Sequence, residues 1–85
     1  MSWELIIDDV LRKRLKRIPT DDSKRIFAIM QGMVFNPYAG DIEKMKGEKD
    51  VWRRRIGSYR VFYEIYKKRK IIYVFNVQRR TSSTY

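Results

Sequence analysis

Cysteine and histidine are both missing from this chain of 85 residues. Without cysteine there can be no disulfide framework, no thiolate metal site and no cysteine nucleophile. Without histidine the chain lacks the commonest metal ligand and the commonest general base. The adjacent carboxylates at 8–9 and 21–22 are better explained as helix caps than as metal ligands. We therefore expect neither a metal nor a cofactor.

Long apolar runs are also absent. No stretch approaches the roughly 20 apolar residues that a membrane-spanning helix needs. The first ten residues, MSWELIIDDV, place acids directly after a short apolar run, which is unlike a secretory signal. Hydrophobic residues make up 44% of the chain, which is enough for one packed core. We expect a single cytoplasmic domain over residues 1–85, with no membrane partner.

Positive charge is abundant and unevenly placed. The chain has 20 Lys and Arg against 10 Asp and Glu, a net charge of +10. Residues 1–43 hold seven basic and seven acidic residues, whereas residues 44–85 hold thirteen basic and only three acidic residues. A polyanion is the natural partner of such a surface, and nucleic acid is the commonest one. A basic protein with no specific partner is the competing interpretation.

Hydrophobic periodicity predicts helices in the first half and strands in the second. The pattern predicts a strand at 3–7, a helix at 9–18 ended by Pro19, and a second helix from its N-cap Thr20 to about residue 35. Three more strands are predicted at 51–56, 59–66 and 71–78, with hairpin connections between them. The sequence therefore predicts an α+β fold of order β-α-α-β-β-β. A helical hairpin would cover one face of a small, mainly antiparallel sheet and leave the other face open.

The segment from Trp52 to Arg60 is the densest basic motif. Alternation along a strand places Arg53 and Arg55 on one face, and a tight turn at 57–58 lets Arg60 lie across from them. Arg79 could approach from the neighbouring strand. We expect these guanidinium groups to converge without a balancing acid, an arrangement that suits phosphate binding. Separate, solvated surface charges are the competing interpretation.

An arginine cluster stabilises negative charge but is a poor proton acceptor. It could stabilise the extra charge of a pentacovalent phosphoryl transition state. If the substrate is RNA, its own 2′-hydroxyl can be the nucleophile, so that no metal or protein nucleophile is needed. A proton acceptor and a donor are still required, and the sequence leaves four candidates open: Tyr85, Lys46, Glu43 and Glu64.

The chain resembles the RelE/ParE superfamily of small bacterial and archaeal toxins, most closely its RelE-like branch. The resemblance covers nearly the whole chain and is carried by Asn36-Pro37, Met45-Lys46-Gly47, the strand-turn-strand run from Trp52 to Ile65, Val77-Gln78-Arg79-Arg80, and Tyr85. It implies a RelE-like fold and a ribosome-dependent endoribonuclease that cuts mRNA in the A site. It also implies a cognate antitoxin protein that binds and blocks the toxin.

Site residues follow from the same resemblance. By motif position, Arg53 and Arg60 would stabilise the phosphate and the transition state, and Arg79 would orient the phosphate or assist the leaving group. Arg55 or Tyr85 would help to activate the 2′-hydroxyl. Further candidate RNA-binding residues outside this catalytic set are Lys46, Lys49, Arg54 and Arg80.

Gln78 stands where many relatives carry His, so relatives that use a Glu and a His for proton transfer are poor guides to this chain.

Two alternatives to the ribonuclease stay open. A ParE-like toxin of the same fold would inhibit gyrase and would need no catalytic set. A plain RNA- or DNA-binding module without catalysis is the third possibility.

Overall fold

The computed structural model describes residues 3–47 and 50–79, which form an α+β fold. The elements, in chain order, are β1 (Glu4–Ile7), α1 (Asp9–Leu15), α2 (Thr20–Gly32), β2 (Ile42–Lys44), β3 (Val51–Ile56), β4 (Tyr59–Tyr66) and β5 (Ile71–Arg79). The predicted fold class is confirmed, and the three strands of the second half start where they were predicted to start.

One five-stranded sheet carries the fold, with the strand order β1-β5-β4-β3-β2. Strands β2 to β5 pair antiparallel with their neighbours, and β1 lies parallel to β5. The β3–β4 hairpin turns at residues 57–58, where Gly57 has a positive φ of 57° that suits glycine. This tight turn fixes the register of the two strands that carry most of the arginines.

The core lies between one face of the sheet and the two helices. On β4, Val61, Tyr63 and Ile65 are buried, whereas Arg60 and Glu64 on the alternate face are only half buried. Leu11 and Leu15 from α1, with Ile26 and Met30 from α2, join the same apolar cluster. The predicted arrangement, with helices over one face only, is confirmed.

The helices differ from the prediction at their ends. Helix α1 stops at Leu15 rather than at residue 18, because the backbone N–H groups of residues 16–18 donate to carbonyls three residues back and form a tighter turn before Pro19. Asp8 caps α1 by accepting hydrogen bonds from the backbone N–H groups of Val10 and Leu11, at 3.1 and 3.2 Å. The predicted cap of α2 is wrong: Pro19 occupies the N-cap position without a side-chain hydrogen bond. Helix α2 also ends earlier, at Gly32.

Strand β2 was not predicted. It is a three-residue edge strand, Ile42–Lys44, and it pairs antiparallel with β3 so that Glu43 lies opposite Arg53. Its residues are exposed or half buried and mostly charged, so they show no alternation of apolar and polar side chains. The pairing comes from the neighbouring strand, a tertiary effect that local sequence does not reveal.

Among the described residues, no helix is both long enough and apolar enough to cross a membrane.

Candidate functional site

Three arginines come together on the face of the sheet that the helices leave uncovered. Arg55 of β3 lies directly opposite Arg60 of β4, and Arg53 lies two residues from Arg55 on the same face. We call Arg53, Arg55 and Arg60 the arginine cluster. Side chains directly opposite on antiparallel strands have Cβ atoms about 5 Å apart, and like charges at that spacing destabilise the sheet. The predicted gathering of these three residues is confirmed.

The expectation that no acid balances the cluster is wrong. Arg53 Nη2 donates a hydrogen bond to Glu43 Oε1, which makes an ion pair across the β2–β3 pairing. Arg55 Nε lies 3.7 Å from Asp41 Oδ2, and the backbone N–H of Arg55 donates to the Asp41 carbonyl at 3.0 Å. Local sequence patterns did not indicate these partners, because β2, which brings Glu43 and Asp41 to β3, was not predicted.

Arg60 differs from the other two arginines. Within residues 3–47 and 50–79 it forms no ion pair, and its neighbours across the sheet are Arg55 on one side and Gln78 on the other. Its side chain is half buried at the centre of the sheet. Gln78, which the motif analysis treated only as a departure from the family pattern, lies directly opposite Arg60 and shares its face of the sheet.

The cluster and its two acids line a small recess of about 50 Å³. The Arg53 side chain is 28% exposed, whereas the side chains of Glu43 and Asp41 are 65% and 70% exposed. The Arg53 guanidinium is thus the more enclosed part of the recess, whereas the Arg55 side chain, 52% exposed, and the two carboxylates are open to solvent.

The charges of the cluster change the acidity of Glu43. The hydrogen bond from Arg53 is the largest cause that lowers the pKa of Glu43 below its usual value, and the nearby charges of Arg53, Lys46 and Arg60 lower it further. Because the pKa is lowered, Glu43 is ionised at neutral pH and is a weaker base than an ordinary glutamate. The glutamate therefore serves as a counter-ion in the free protein.

We predict that Arg53→Gln raises the pKa of Glu43 toward its ordinary value, because the hydrogen bond and the largest charge are both removed. A ¹³C NMR titration of the side-chain carboxyls measures this directly. Asp8 is the internal control, since its pKa is lowered first by the hydrogen bond from Tyr73 and then by backbone donors of α1. If Glu43 titrates unchanged in the variant, Arg53 is not its partner in solution.

The lowered pKa of Glu43 also determines how the stability of the fold depends on pH. The pKa of Glu43 is lower in the folded protein than in the unfolded chain, so the ionised glutamate stabilises the fold. This stabilisation is complete above the unfolded-state pKa and is lost as the pH falls through the folded-state pKa. Arg53→Gln should therefore flatten the dependence of stability on pH in the acid range.

Arg79 does not join the cluster. It pairs with Tyr59 and lines a separate cavity on the helical side of the sheet, together with Leu11 and Arg14. The cause is an irregularity between Phe62 and Tyr63, where β5 contains one residue more than β4. One extra residue moves all later side chains of a strand to the opposite face, so Gln78 rather than Arg79 shares a face with Arg60.

The other predicted residues are spread over the surface. Arg54 lies on the opposite face of β3, where its guanidinium packs so closely on Gly40 that a Cβ there would lie 2.5 Å from it. Lys46 is exposed in the turn after β2. Glu64 shares the face of Arg60 but lies four residues away, about 13 Å along the strand, and it accepts a hydrogen bond from the Tyr66 hydroxyl at 2.7 Å.

Three predicted site residues fall outside the described part of the chain: Lys49, Arg80 and Tyr85. Their predicted roles stay predictions.

The chain is similar to known toxins over almost its full length. A family model described as the ParE toxin of type II toxin-antitoxin systems, parDE, matches residues 5–83. RelE1 of Methanocaldococcus jannaschii is 30% identical over 83 residues, with 94% of this chain and 92% of that protein covered.

Solved structures give the same picture. The archaeal RelE–RelB complex of Pyrococcus horikoshii OT3 superposes with a TM-score of 0.84 at 25% identity, over 98% of this chain and 100% of that chain. The RelB–RelE complex of Methanococcus jannaschii gives a TM-score of 0.74 at 26% identity, over 88% and 90%. The isolated RelE toxin of E. coli has the same fold, with a TM-score of 0.80 at 16% identity, over 96% and 88%.

Proposed function

The chain belongs to the ParE/RelE family of toxins from toxin–antitoxin systems, and on this premise we propose that it is an endoribonuclease that cuts messenger RNA on the ribosome. The observation that carries the proposal is the arginine cluster on the uncovered face of the sheet. Arg53 and Arg55 are each paired with a carboxylate, whereas Arg60 beside them has no ion pair among the described residues, and an excess of positive charge on an open sheet face suits a phosphate ligand.

The cluster suits the electrostatic demand of phosphodiester cleavage. As the 2′-oxygen attacks, the phosphorus becomes pentacovalent and its non-bridging oxygens gain negative charge. Guanidinium N–H groups aimed at those oxygens stabilise the transition state more than the ground state. Arg53 and Arg60, on neighbouring strands, are assigned to this role.

The reaction balances without an added co-reactant. The 2′-oxygen forms a bond to phosphorus while the bond between phosphorus and the 5′-oxygen breaks. The products are a 2′,3′-cyclic phosphate on one fragment and a 5′-hydroxyl on the other. One proton leaves the 2′-hydroxyl and one proton is delivered to the departing 5′-oxygen.

The position of Glu43 and Glu64 narrows the choice of proton acceptor. Glu43 touches the cluster, but its lowered pKa makes it a weak base while it is paired with Arg53. Glu64 lies too far along β4 to reach a phosphate held by Arg60. Lys46, exposed in the turn after β2, stays a candidate for the proton acceptor. We propose Arg55 or Tyr85 for the activation of the 2′-hydroxyl, as the family resemblance implies, and Arg55 would contribute charge rather than accept the proton.

An antitoxin protein and the ribosome are the proposed partners. RelE of Pyrococcus horikoshii and RelE of Methanococcus jannaschii were each solved in a complex with RelB. We propose that a cognate antitoxin likewise binds this chain and blocks it. The net charge of +10 would favour the approach to ribosomal RNA.

Inhibition of gyrase is the second candidate function, because the matching family model is described as the ParE toxin. A ParE-like toxin would inhibit gyrase through protein contacts. Such an inhibitor has no need of three guanidinium groups facing one recess, and this is why we prefer the ribonuclease.

Cell-free translation separates the candidates. The full chain is added to a translating extract, and the 5′ ends of the mRNA are mapped with and without ribosomes. We expect cuts in phase with codons that disappear when ribosomes are omitted. Intact mRNA together with cleaved DNA trapped on gyrase would support the ParE-like function instead, and an unaffected extract would leave only a binding module.

A further inference from the structure

We propose that Asp41 and Glu43 are resident counter-ions that occupy the phosphate-binding positions of the arginine cluster, and that RNA must displace them in order to bind. They would thereby set the affinity of the free toxin for RNA. This inference depends on the proposed function, because it concerns the same site and names what controls its occupancy.

The first argument is that carboxylate and phosphate compete for the same donors. A guanidinium presents its N–H groups in a planar fork that fits either group of oxygens. Arg53 Nη2 already donates to Glu43, and the Nε of Arg55 faces Asp41 at 3.7 Å. A phosphate that bound through these two N–H groups would take them from the carboxylates, and one that bound through the remaining N–H groups would lie beside two negative charges.

The second argument is the size of the recess. The recess is small, about 50 Å³, and Glu43 and Asp41 line it together with the three arginines. A phosphate group that entered it would lie against both carboxylates, and like charges at that distance repel. Glu43 and Asp41 are the most exposed side chains of the site, at 65% and 70%, so they can swing into solvent without disturbing the core.

The third argument is the difference between the arginines. Arg60 has no ion pair among the described residues, so it is open to a first phosphate contact. The Arg55–Asp41 contact is long and largely exposed, whereas Arg53 is held by a direct hydrogen bond and is the least exposed of the paired side chains. We therefore expect RNA to engage Arg60 first, then Arg55, and to release Glu43 from Arg53 last.

The test is the affinity of Glu43→Gln for a short single-stranded RNA with 2′-O-methyl groups, which cannot be cut by 2′-hydroxyl attack. Loss of one exposed ion pair should tighten binding about threefold, and the double variant with Asp41→Asn should bind about tenfold more tightly than the wild type. The matched control is Glu4→Gln, which removes the same charge from an exposed position on β1, at the opposite edge of the sheet.

A second readout is the salt dependence of binding. In the wild type a displaced carboxylate takes up a cation, which partly cancels the counterions that RNA releases. Glu43→Gln should therefore steepen the slope of log K against log salt, by less than about 0.7, the value for one full contact with a single-stranded phosphate. Glu4→Gln should leave the slope unchanged.

Two results would overturn the inference. Equal affinities for wild type, Glu43→Gln and Glu4→Gln would mean that the carboxylates do not compete with RNA. Weaker binding by Glu43→Gln would mean that Glu43 holds Arg53 in the binding position. Failure of the wild type to cut mRNA on ribosomes, with the expected order of affinities intact, would remove the proposed reaction and leave the counter-ion role in place.

Discussion

Arg60→Ala is expected to reduce ribosome-dependent mRNA cleavage by about a hundredfold or more. The loss of one donor aimed at a developing oxyanion costs about 10² to 10³ in rate. Arg60 is the member of the cluster that has no ion pair in the described residues, so its positive charge is available to the substrate. The measurement is the rate at which codon-phased 5′ ends appear in a translating extract.

Arg12→Ala is the matched control, because Arg12 is exposed on α1 and the substitution removes the same charge. It should cleave within a few-fold of the wild type, the effect of a general loss of attraction to RNA. Circular dichroism must show that Arg60→Ala is folded, which we expect because its side chain lies outside the apolar core. A folded Arg60→Ala protein with full activity would show that the cluster is not the reactive site.

Arg60→Lys tests the same residue more finely. Lysine keeps the charge but loses the planar fork of donors. An activity between those of the wild type and Arg60→Ala would indicate that donor geometry contributes beyond charge.

Much of the fold could be predicted because its strongest signals are local. Aromatic and β-branched residues dominate 59–66, apolar residues begin and end 51–56, and the two-residue Gly57-Ser58 turn between them sets the pairing register of the two strands. The position of Arg53, Arg55 and Arg60 on one face follows from that register alone. For these three residues, the alternation of side chains between the two faces of a strand and one tight turn were sufficient to predict their placement.

The remaining parts of the site depend on tertiary pairing. Strand β2 has three residues and no apolar pattern, so nothing in its own sequence predicts that Glu43 will lie against Arg53. The irregularity near Phe62 is likewise without a local signal, yet it decides that Gln78 faces Arg60 and that Arg79 does not. The family motif predicted that Arg79 would join the arginine cluster. The register of β5 against β4 instead places Arg79 on the opposite face of the sheet.

The β2 pairing and the β5 irregularity, neither of which was predicted, both lower the positive charge of the site. The β2 pairing adds two negative charges to the cluster, and the β5 irregularity removes one positive charge from it. The site thus carries three guanidinium groups and two carboxylates rather than four unopposed cations. Such a small excess of positive charge destabilises the folded sheet less than four unopposed cations would, and it attracts an anionic ligand less strongly.

Leu15→Ala is expected to lower the free energy of unfolding by about 3 kcal/mol, the largest change in stability among the variants proposed. Leucine-to-alanine changes in a packed core cost about 2–5 kcal/mol, whereas a domain of this size is stable by about 4–13 kcal/mol in total. Helix α1 has seven residues, too few to be stable by itself, and it is anchored by Leu11 and Leu15, which are 1% and 0% exposed. Thermal unfolding followed by circular dichroism should show a decrease in Tm of about 15 °C.

Val10→Ala is the control on the same helix. Val10 is 66% exposed, so its truncation should change stability by less than about 0.5 kcal/mol. Equal melting of the Leu15→Ala and Val10→Ala proteins would mean that α1 is not held to the sheet as described.

Hydrogen exchange should then locate the damage caused by Leu15→Ala. Arg14 of α1 donates to the Asn76 side chain and to the Val77 carbonyl, both at 2.9 Å, so a loosened α1 releases the end of β5. We expect faster exchange in α1 and in that end of β5, and little change at the β2–β3 pairing that holds Glu43 against Arg53. Protection that falls equally throughout the sheet would instead show that α1 and the arginine-bearing strands unfold as one unit.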